Sequence, residues 1–215
     1  MEAFRRRLLA FVERTCWTFG LAGLAVFGAF HMGVAGSTER ELERFATLQA
    51  LAKKEAPDQS LWSPGRVTAW HKLLSESFPA PLAVLRIPKI RVEVPVLPGT
   101  DDRTLDRGVG HIEDTAAPGT EGNSGIAGHR DSFFRGLKDI AVGDEIELDT
   151  LDRTEVYRVE RAWVVEPEDV SVLDPTPARA LTLVTCYPFY FVGSAPQRFI
   201  VRAVLSSSRP VNSSR

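Results

Sequence analysis

Cysteine is scarce in this 215-residue chain, which has only Cys16 and Cys186. Cys16 lies in a long apolar run near the start, so Cys186 has no partner for a disulfide within the rest of the chain. An unpaired thiol is a liability in an oxidising compartment unless it has a function. The alternative is a buried, inert cysteine that packs as a small hydrophobic residue.

The sequence also lacks an excess of either charge. It has 26 basic and 28 acidic residues and a formal net charge of −2, which argues against the basic face of a nucleic-acid-binding protein. Its acidic residues form no cluster typical of a calcium site. We therefore predict no cofactor and no metal site, and leave calcium dependence open. Hydrophobic residues make up 44% of the chain, which excludes disorder over most of its length.

One apolar run, residues 15–36, is long enough to cross a membrane, since a spanning helix needs about 20 such residues. Four arginines precede it, and mainly acidic residues follow it. The positive-inside rule then predicts a single-pass anchor in the cell membrane, with a cytoplasmic N-terminus and an extracytoplasmic remainder. A cleaved signal peptide is the alternative, but its apolar region is usually only about 7–15 residues long.

Composition divides the chain into segments of different character. Residues 55–81 have no sustained period and contain several prolines and glycines, so we interpret them as a linker with a short helix near 67–75. The serine-rich end should be loose. The predicted segments are a basic N-terminus (1–14), a transmembrane anchor (15–36), a helical and linker stalk (37–81), a β-rich domain (82–206) and a flexible tail (207–215).

Short apolar runs separated by Gly, Pro and Asp follow residue 81, and several alternate apolar with polar residues. This pattern indicates β-strands. Eight short strands with few helical interruptions favour a mainly β fold closed into a barrel, because closure leaves no exposed edge strand. The predicted strands are 83–87, 92–96, 108–112, 124–128, 144–150, 155–165, 181–186 and 198–205.

Cys186 ends one of these apolar strands, and Pro188 prevents the strand from continuing. The thiol is thus held on a rigid element but close to a loop, which suits a nucleophile. A free thiol has a reference pKa of about 8.5 and needs a nearby base or cation for activation. His129 and His111 are the candidates for the base. His129 is preferred because it also follows a strand, and the other histidine would then be a structural hydrogen-bonding residue.

Arg198 begins the strand that follows the Cys186 loop. If the two strands pair antiparallel, Arg198 lies beside Cys186, where its guanidinium can donate hydrogen bonds to an oxyanion or a substrate carbonyl. A solvated arginine at a strand start is the alternative. Convergence of three residue types on one rim favours the catalytic interpretation.

These motifs together resemble those of the sortases, and their sequences are most similar to the class D type. Residues 182–186 read TLVTC and match the family's Thr-Leu-X-Thr-Cys nucleophile strand. Residues 128–130 read GHR and match the context of the family's histidine. Arg198 matches the arginine that opens the strand after the nucleophile loop. The likeness extends over about residues 84–204.

The resemblance implies an eight-stranded sortase β-barrel with short helices, preceded by the transmembrane helix, and a two-step acyl transfer. Cys186 would attack an LPxTG-like sorting signal after Thr, and His129 would act as general acid/base. Arg198 would stabilise the oxyanion, and an amine of the cell wall or of a protein would accept the acyl group. Thr185 and Asp131 are weaker candidates for substrate binding, and Asp131 alternatively orients His129 or caps the turn after it.

Two rival functions accompany this prediction. A cysteine peptidase or amidase would use the same Cys-His-Arg site with water as the acceptor. A membrane-anchored β-barrel binding module would contain an inert Cys186, which should resist thiol reagents in the folded domain.

Overall fold

The computed structural model describes Trp17 and residues 57–76, 79–190 and 193–210. The chain forms two compact units, Met1–Arg44 and Phe45–Arg215, and the strands among the described residues all lie in the second. Apart from Trp17, the predicted membrane span at 15–36 is outside the described residues. None of the helices within those residues has the length and apolar character needed to cross a membrane.

Eight strands form a closed barrel, which confirms the predicted mainly β architecture. Every predicted strand is present, with ends that differ by a few residues at most positions. The strands are β1 (Ala83–Ile87), β2 (Val92–Pro98), β3 (Val109–His111), β4 (Asn123–Gly128), β5 (Glu145–Asp149), β6 (Arg153–Val165), β7 (Ala180–Tyr187) and β8 (Gln197–Pro210).

Short helices connect or cover the strands in the described part of the second unit. Two are α-helices and three are 3-10 helices. They are α1 (Pro64–Leu73), α2 (Asp102–Arg107), and the 3-10 helices Pro88–Ile90, Arg135–Asp139 and Val170–Leu173.

The strand order around the barrel is β1-β2-β3-β4-β7-β8-β6-β5, and β5 pairs with β1 to close it. The pairs β2–β3 and β4–β7 are parallel, and the other six pairs are antiparallel. Because β4 and β7 run in the same direction, both end at the same end of the barrel. β8 begins at that end, since it runs antiparallel to β7.

Alternate side chains of these central strands fill the barrel interior. Ile126 of β4, Leu183 of β7 and Val201 of β8 have no solvent exposure and belong to one hydrophobic core. Full burial of such a side chain stabilises the fold by about 1.5–3 kcal/mol. The intervening residues of the same strands therefore project outwards from the barrel wall.

The segment predicted to be a linker is instead packed on the barrel over part of its length. Helix α1 begins with Pro64 at its first turn, a favoured position for proline. Trp70 of α1 is only 8% exposed and joins the barrel core. Trp62, just before the helix, meets the Phe133 ring edge-on at a centroid distance of 4.5 Å. The short helix predicted near 67–75 is present as α1. Two isolated tryptophans anchor it to the barrel, and such a pair gives no periodic signal in the sequence.

The last strand is longer than predicted. β8 continues to Pro210, which pairs with Arg153 of β6, so the part of the predicted tail up to residue 210 is strand. Serine side chains gave no apolar alternation there, yet strand pairing uses backbone groups that every non-proline residue carries. Residues 211–215 lie outside the described part.

Candidate active site

Cys186 and Arg198 face each other on neighbouring strands. In the antiparallel register of β7 and β8, Cys186 lies directly opposite Arg198. Facing residues of such a pair project to the same side of a sheet, with β-carbons about 4.5–5.5 Å apart. The thiol is unpaired and partly exposed. The structure therefore brings these two predicted residues together on one side of the barrel wall.

His129 reaches the same place from β4. Gly128, the last residue of β4, is in register with Thr185 of β7. His129 and Cys186 are the residues that directly follow this pair. Leu183 of β7 is buried in the core. Because side chains alternate along a strand, Cys186 projects to the outer side of the barrel. All three predicted catalytic residues thus lie at the same end of the barrel.

Aromatic side chains support this end of the barrel from within. Tyr187 and Phe199 follow Cys186 and Arg198 on their strands and pack against the core. Their rings stack with centroids 6.2 Å apart and an interplanar angle of 25°. This packing fixes the backbone that carries the thiol and the guanidinium, as a preorganised site requires.

Thr185 ties the two parallel strands together next to the site. Its hydroxyl donates a hydrogen bond of 2.7 Å to the carbonyl oxygen of Gly128. The side chain is 2% exposed, which leaves almost none of it for a substrate to contact. In place of the substrate contact predicted for it, Thr185 therefore has a supporting position.

The glycine before His129 is required by close packing. A β-carbon on Gly128 would lie 2.6 Å from the ring of Phe134, well inside van der Waals contact. The backbone amides of Ser132 and Phe134 both donate to the carbonyl oxygen of His129, at 3.3 Å each. The GHR motif is therefore a tight turn built over a fully buried phenylalanine, which holds His129 at the strand end.

Arg130 connects the histidine turn to the loop that follows the nucleophile. Its Nη1 donates to the Pro188 carbonyl at 3.0 Å, and its Nη2 donates to the Gly193 carbonyl at 2.7 Å. The loop after Cys186 is thus attached to the residue after His129. This contact couples the positions of the two candidate catalytic elements.

The Arg198 guanidinium is oriented by its own loop. Nη1 donates to the carbonyl oxygens of Gln197, at 3.0 Å, and Ala195, at 3.3 Å. A guanidinium carries five N–H donors on three nitrogens. Those on the other two nitrogens can serve a substrate carbonyl or an oxyanion.

Asp131 turns towards α1. Its carboxylate accepts hydrogen bonds from the Ser63 hydroxyl, at 2.9 Å, and from Nε of Arg66, at 3.1 Å. Arg66 also donates through Nη1 to Asp106 of α2 at 2.5 Å. Asp106 in turn lies close to the candidate base, because its Oδ1 is 3.5 Å from Nε2 of His129. Both oxygens of Asp131 are thus occupied by α1 and its cap, and none by a substrate pocket.

Burial and charge act on His129 in opposite directions. Burial, and after it the positive charge of Arg66, lower the pKa of His129, while Asp106, Asp131 and Asp102 act to raise it. The first two effects prevail, so the pKa lies below the usual value for histidine. Burial also acts to raise the pKa of Asp131, but the Ser63 hydrogen bond and the charge of Arg66 outweigh it and lower that pKa.

His111, the alternative base, has a structural environment. Its Nε2 lies 3.0 Å from the Ala116 carbonyl oxygen and 3.1 Å from the Thr115 hydroxyl. The same Thr115 oxygen accepts from the amide of Gly125 at 3.0 Å. The ring thus takes part in the hydrogen bonding that holds the β3–β4 connection, the role predicted for the spare histidine.

The sequence did not predict two charged residues near the site, Arg66 and Asp106. Arg66 lies in the segment interpreted as a linker, and Asp106 lies in a six-residue helix with no motif. The Ser63-Pro64 pair is a helix-start signal, but nothing local links it to His129. Over the residues that the structure describes, no group of three or more His, Cys, Asp or Glu side chains is placed to hold a metal ion.

Comparison with known proteins agrees with this geometry. The family model for the sortase domain matches residues 85–206. Sortase D of Bacillus subtilis is 37% identical over 119 residues, covering 55% of this chain and 60% of the relative. The chain thus spans less than two thirds of that relative's length.

Solved structures give the same result. Sortase E1 from Streptomyces coelicolor, with a tripeptide in its active site, has a TM-score of 0.56 and 36% identity, covering 60% of this chain and 90% of that one. A sortase D5 transpeptidase from Clostridium perfringens has a TM-score of 0.56 and 28% identity, covering 79% and 99%. With a domain match over more than half of its residues, this chain belongs to the sortase family.

Proposed function

We propose that the chain is a cysteine transpeptidase that cleaves a sorting signal in a protein substrate and joins the released acyl group to an amine. The strand register supports this most directly: Cys186 lies opposite Arg198, and His129 follows Gly128, which pairs with the residue before Cys186. A nucleophile, a proton-transfer group and an oxyanion donor on one rim are the parts that acyl transfer needs. The peptide in the active site of the Streptomyces relative also favours a peptide substrate.

In the first step, the Cys186 thiolate attacks the carbonyl carbon that follows Thr in an LPxTG-like signal. The carbonyl oxygen becomes an oxyanion, and Arg198 donates hydrogen bonds to it. The C–N bond then breaks, and the His129 imidazolium gives its proton to the departing amine. The product is a thioester between Cys186 and the substrate.

In the second step, an amine of the cell wall or of another protein attacks the thioester carbonyl. A second oxyanion forms in the same position, so Arg198 acts again. The imidazole of His129 takes the proton of the attacking amine, and the C–S bond breaks to restore the thiolate. Both steps use the same groups, because the second is chemically the reverse of the first with a different amine.

The proposal includes anchoring in the cell membrane. The apolar run at 15–36, with arginines before it and acidic residues after it, supports a single span with the barrel on the extracytoplasmic side. Residues 37–81 would then carry the chain from the membrane to the barrel, with their last part packed on it through Trp62 and Trp70. An unpaired Cys186 in that compartment fits a working thiol.

The test is incubation of the purified full-length protein with an LPxTG-type peptide and an amine, followed by mass spectrometry. We expect a thioester on Cys186 and a transfer product whose yield rises with amine concentration. The Cys186→Ala variant should form neither. Hydrolysis alone at saturating amine would favour a peptidase or amidase, and a Cys186 that resists thiol reagents in the folded protein would favour a binding module.

A further inference from the structure

A chain of charged contacts leads from α1 to the candidate catalytic histidine. Arg66 of α1 contacts Asp131 through Nε at 3.1 Å and Asp106 through Nη1 at 2.5 Å. Asp106 Oδ1 lies 3.5 Å from His129 Nε2. Asp131 is two residues from His129 on the same turn. One guanidinium therefore joins the two carboxylates that flank the histidine.

These groups are shielded enough for their charges to matter. The His129 side chain is 13% exposed, Asp106 17%, Arg66 28% and Asp131 30%. Charges that are partly buried are screened by salt much less than exposed ones. The contacts are therefore unlike those of an ordinary surface ion pair.

The distance between Asp106 and His129 is that of an ion pair, and the two side chains form no hydrogen bond. His129 Nε2 is buried and has no hydrogen-bond partner among the described residues. Asp106 instead makes its short contact with Arg66. The position of this carboxylate relative to the ring is thus set by an arginine on another element.

We propose that Arg66 is a positioning residue of the active site, which holds the carboxylates of Asp106 and Asp131 beside His129 and limits the negative charge that the imidazole experiences. Arg66 precedes the matched sortase domain, which begins at residue 85. The segment before the barrel would therefore take part in setting the protonation state of the acid/base group. This inference rests on the proposed role of His129.

The direction of the effect follows from the charges that face His129. Arg66 comes from α1, Asp106 and Asp102 from α2, and Asp131 from the histidine's own turn. Cys186 of β7 and Arg198 of β8, at the same end of the barrel, are the same in every variant compared. Loss of Arg66 removes one positive charge and leaves the two carboxylates it joins without their common counter-ion. Both changes favour the imidazolium, so the pKa of His129 should rise.

The helix itself should stay in place when the charge is removed. Trp70 of α1 is buried in the core, and Trp62 packs on Phe133 in the His129 turn. These aromatic contacts do not involve Arg66. A neutral side chain of similar length at position 66 therefore tests the charge separately from the packing.

The experiment is an NMR pH titration of the histidine rings in the full-length protein. There are four histidines, and the His129 signal is assigned by its absence from a His129→Ala sample. Arg66→Gln should raise the pKa of His129 by about one unit, a tenfold change in the ratio of imidazolium to imidazole at a given pH. Asp106→Asn should lower it. Arg66→Lys keeps the charge and should stay closer to wild type than Arg66→Gln.

A double variant shows whether Arg66 acts through Asp106. The shift caused by Arg66→Gln should be smaller in an Asp106→Asn background than in wild type, because interacting residues are not additive. Arg91→Gln is the matched control. Arg91 also pairs with an aspartate, Asp58, at 3.3 Å, but it is 79% exposed and should leave His129 unchanged.

An Arg66→Gln protein whose His129 titrates as in wild type would overturn the inference. So would an equal shift in Arg91→Gln, because general charge removal would then suffice. The titration needs no turnover, so it stays decisive even if no peptide is transferred and the proposed function fails. If the protein is active, the pH limb of kcat/KM that reports His129 should move upward with the NMR value.

Discussion

The hydroxyl of Thr185 donates a hydrogen bond to the carbonyl of Gly128, and each of these residues immediately precedes a candidate catalytic residue. Thr185 is followed by Cys186, and Gly128 by His129. The bond joins parallel strands that are distant in sequence at the point where both leave the barrel. It therefore holds together the two backbone segments that carry the thiol and the imidazole.

This relationship predicts the effect of Thr185→Val. Valine has the same shape but cannot donate, so the bond to Gly128 is lost at a buried position and stability should fall by about 1–3 kcal/mol. The relative position of Cys186 and His129 should also loosen, and kcat should fall by at least about tenfold, since small misplacements in active sites are costly. Thermal unfolding and transfer kinetics measure the two effects, and Thr185→Ser should restore both.

Thr182→Val is a matched control for that experiment. Thr182 is also fully buried, and its hydroxyl donates to the Asn123 side chain at 2.6 Å, three residues further from the strand end. We expect a similar loss of stability with a much smaller loss of kcat. Equal losses of kcat in the two variants would contradict a specific role for Thr185.

The two histidines of the barrel should differ sharply in function. His129→Ala should reduce kcat by about 10²–10⁴, the usual contribution of a general acid/base. His111→Ala should keep measurable activity and lose about 1 kcal/mol of stability, because it removes the polar contacts to Ala116 and Thr115. Steady-state transfer assays and thermal unfolding separate these outcomes. An inactive His111→Ala with an active His129→Ala would reverse the assignment.

The sequence predicted most of this site because its residues lie in local patterns. Cys186, His129 and Arg198 each lie at the end or start of a short apolar run that predicts a strand. Antiparallel pairing across a single loop then predicts the Cys186–Arg198 contact without further information. The parallel pairing of β4 with β7, which brings in His129, required the resemblance to a known family.

What the sequence did not predict depends on long-range contacts or on backbone pairing. Arg66 and Asp106 meet from separate short helices, and no local pattern links two residues of opposite charge so far apart. Trp70 is buried although α1 is too short for a convincing apolar face. The end of β8 pairs through backbone groups alone, so its serines gave no signal of a strand.

Arg198 should be sensitive to the shape of its side chain as well as to its charge. Arg198→Lys keeps a positive charge but loses the planar group that bonds the Gln197 carbonyl and can also reach an oxyanion. We expect kcat to fall by about 10²-fold, the lower end for loss of an oxyanion donor. Arg202→Lys is the control, because Arg202 lies on the same outer face of β8 but about 13 Å further along the strand. Comparable kcat values for the two variants would rule out a specific contribution of Arg198.

A separate prediction concerns a charged group enclosed by the barrel. Glu155 has no exposed surface and accepts hydrogen bonds from the Tyr157 hydroxyl, at 2.6 Å, and from Nη1 of Arg179, at 2.5 Å. Burial, and after it the contact with Glu155, raise the pKa of Tyr157 far above the physiological range, so the phenol stays a donor. Arg179 is then the counter-ion on which the buried carboxylate depends.

Arg179→Met removes that counter-ion while it keeps an unbranched side chain. An unpaired buried carboxylate is strongly unfavourable, so the free energy of unfolding should fall by about 3–5 kcal/mol. Arg158→Met is the matched control on β6, because the Arg158–Glu145 pair is 3.0 Å long but more than half exposed on both sides, and exposed pairs contribute only about 0–1 kcal/mol. Denaturant unfolding at neutral pH measures the difference. Equal losses in the two variants would mean that Glu155 does not need Arg179. A loss confined to Arg179→Met would identify this pair as a support of the barrel at the start of β7, the strand that ends near Cys186.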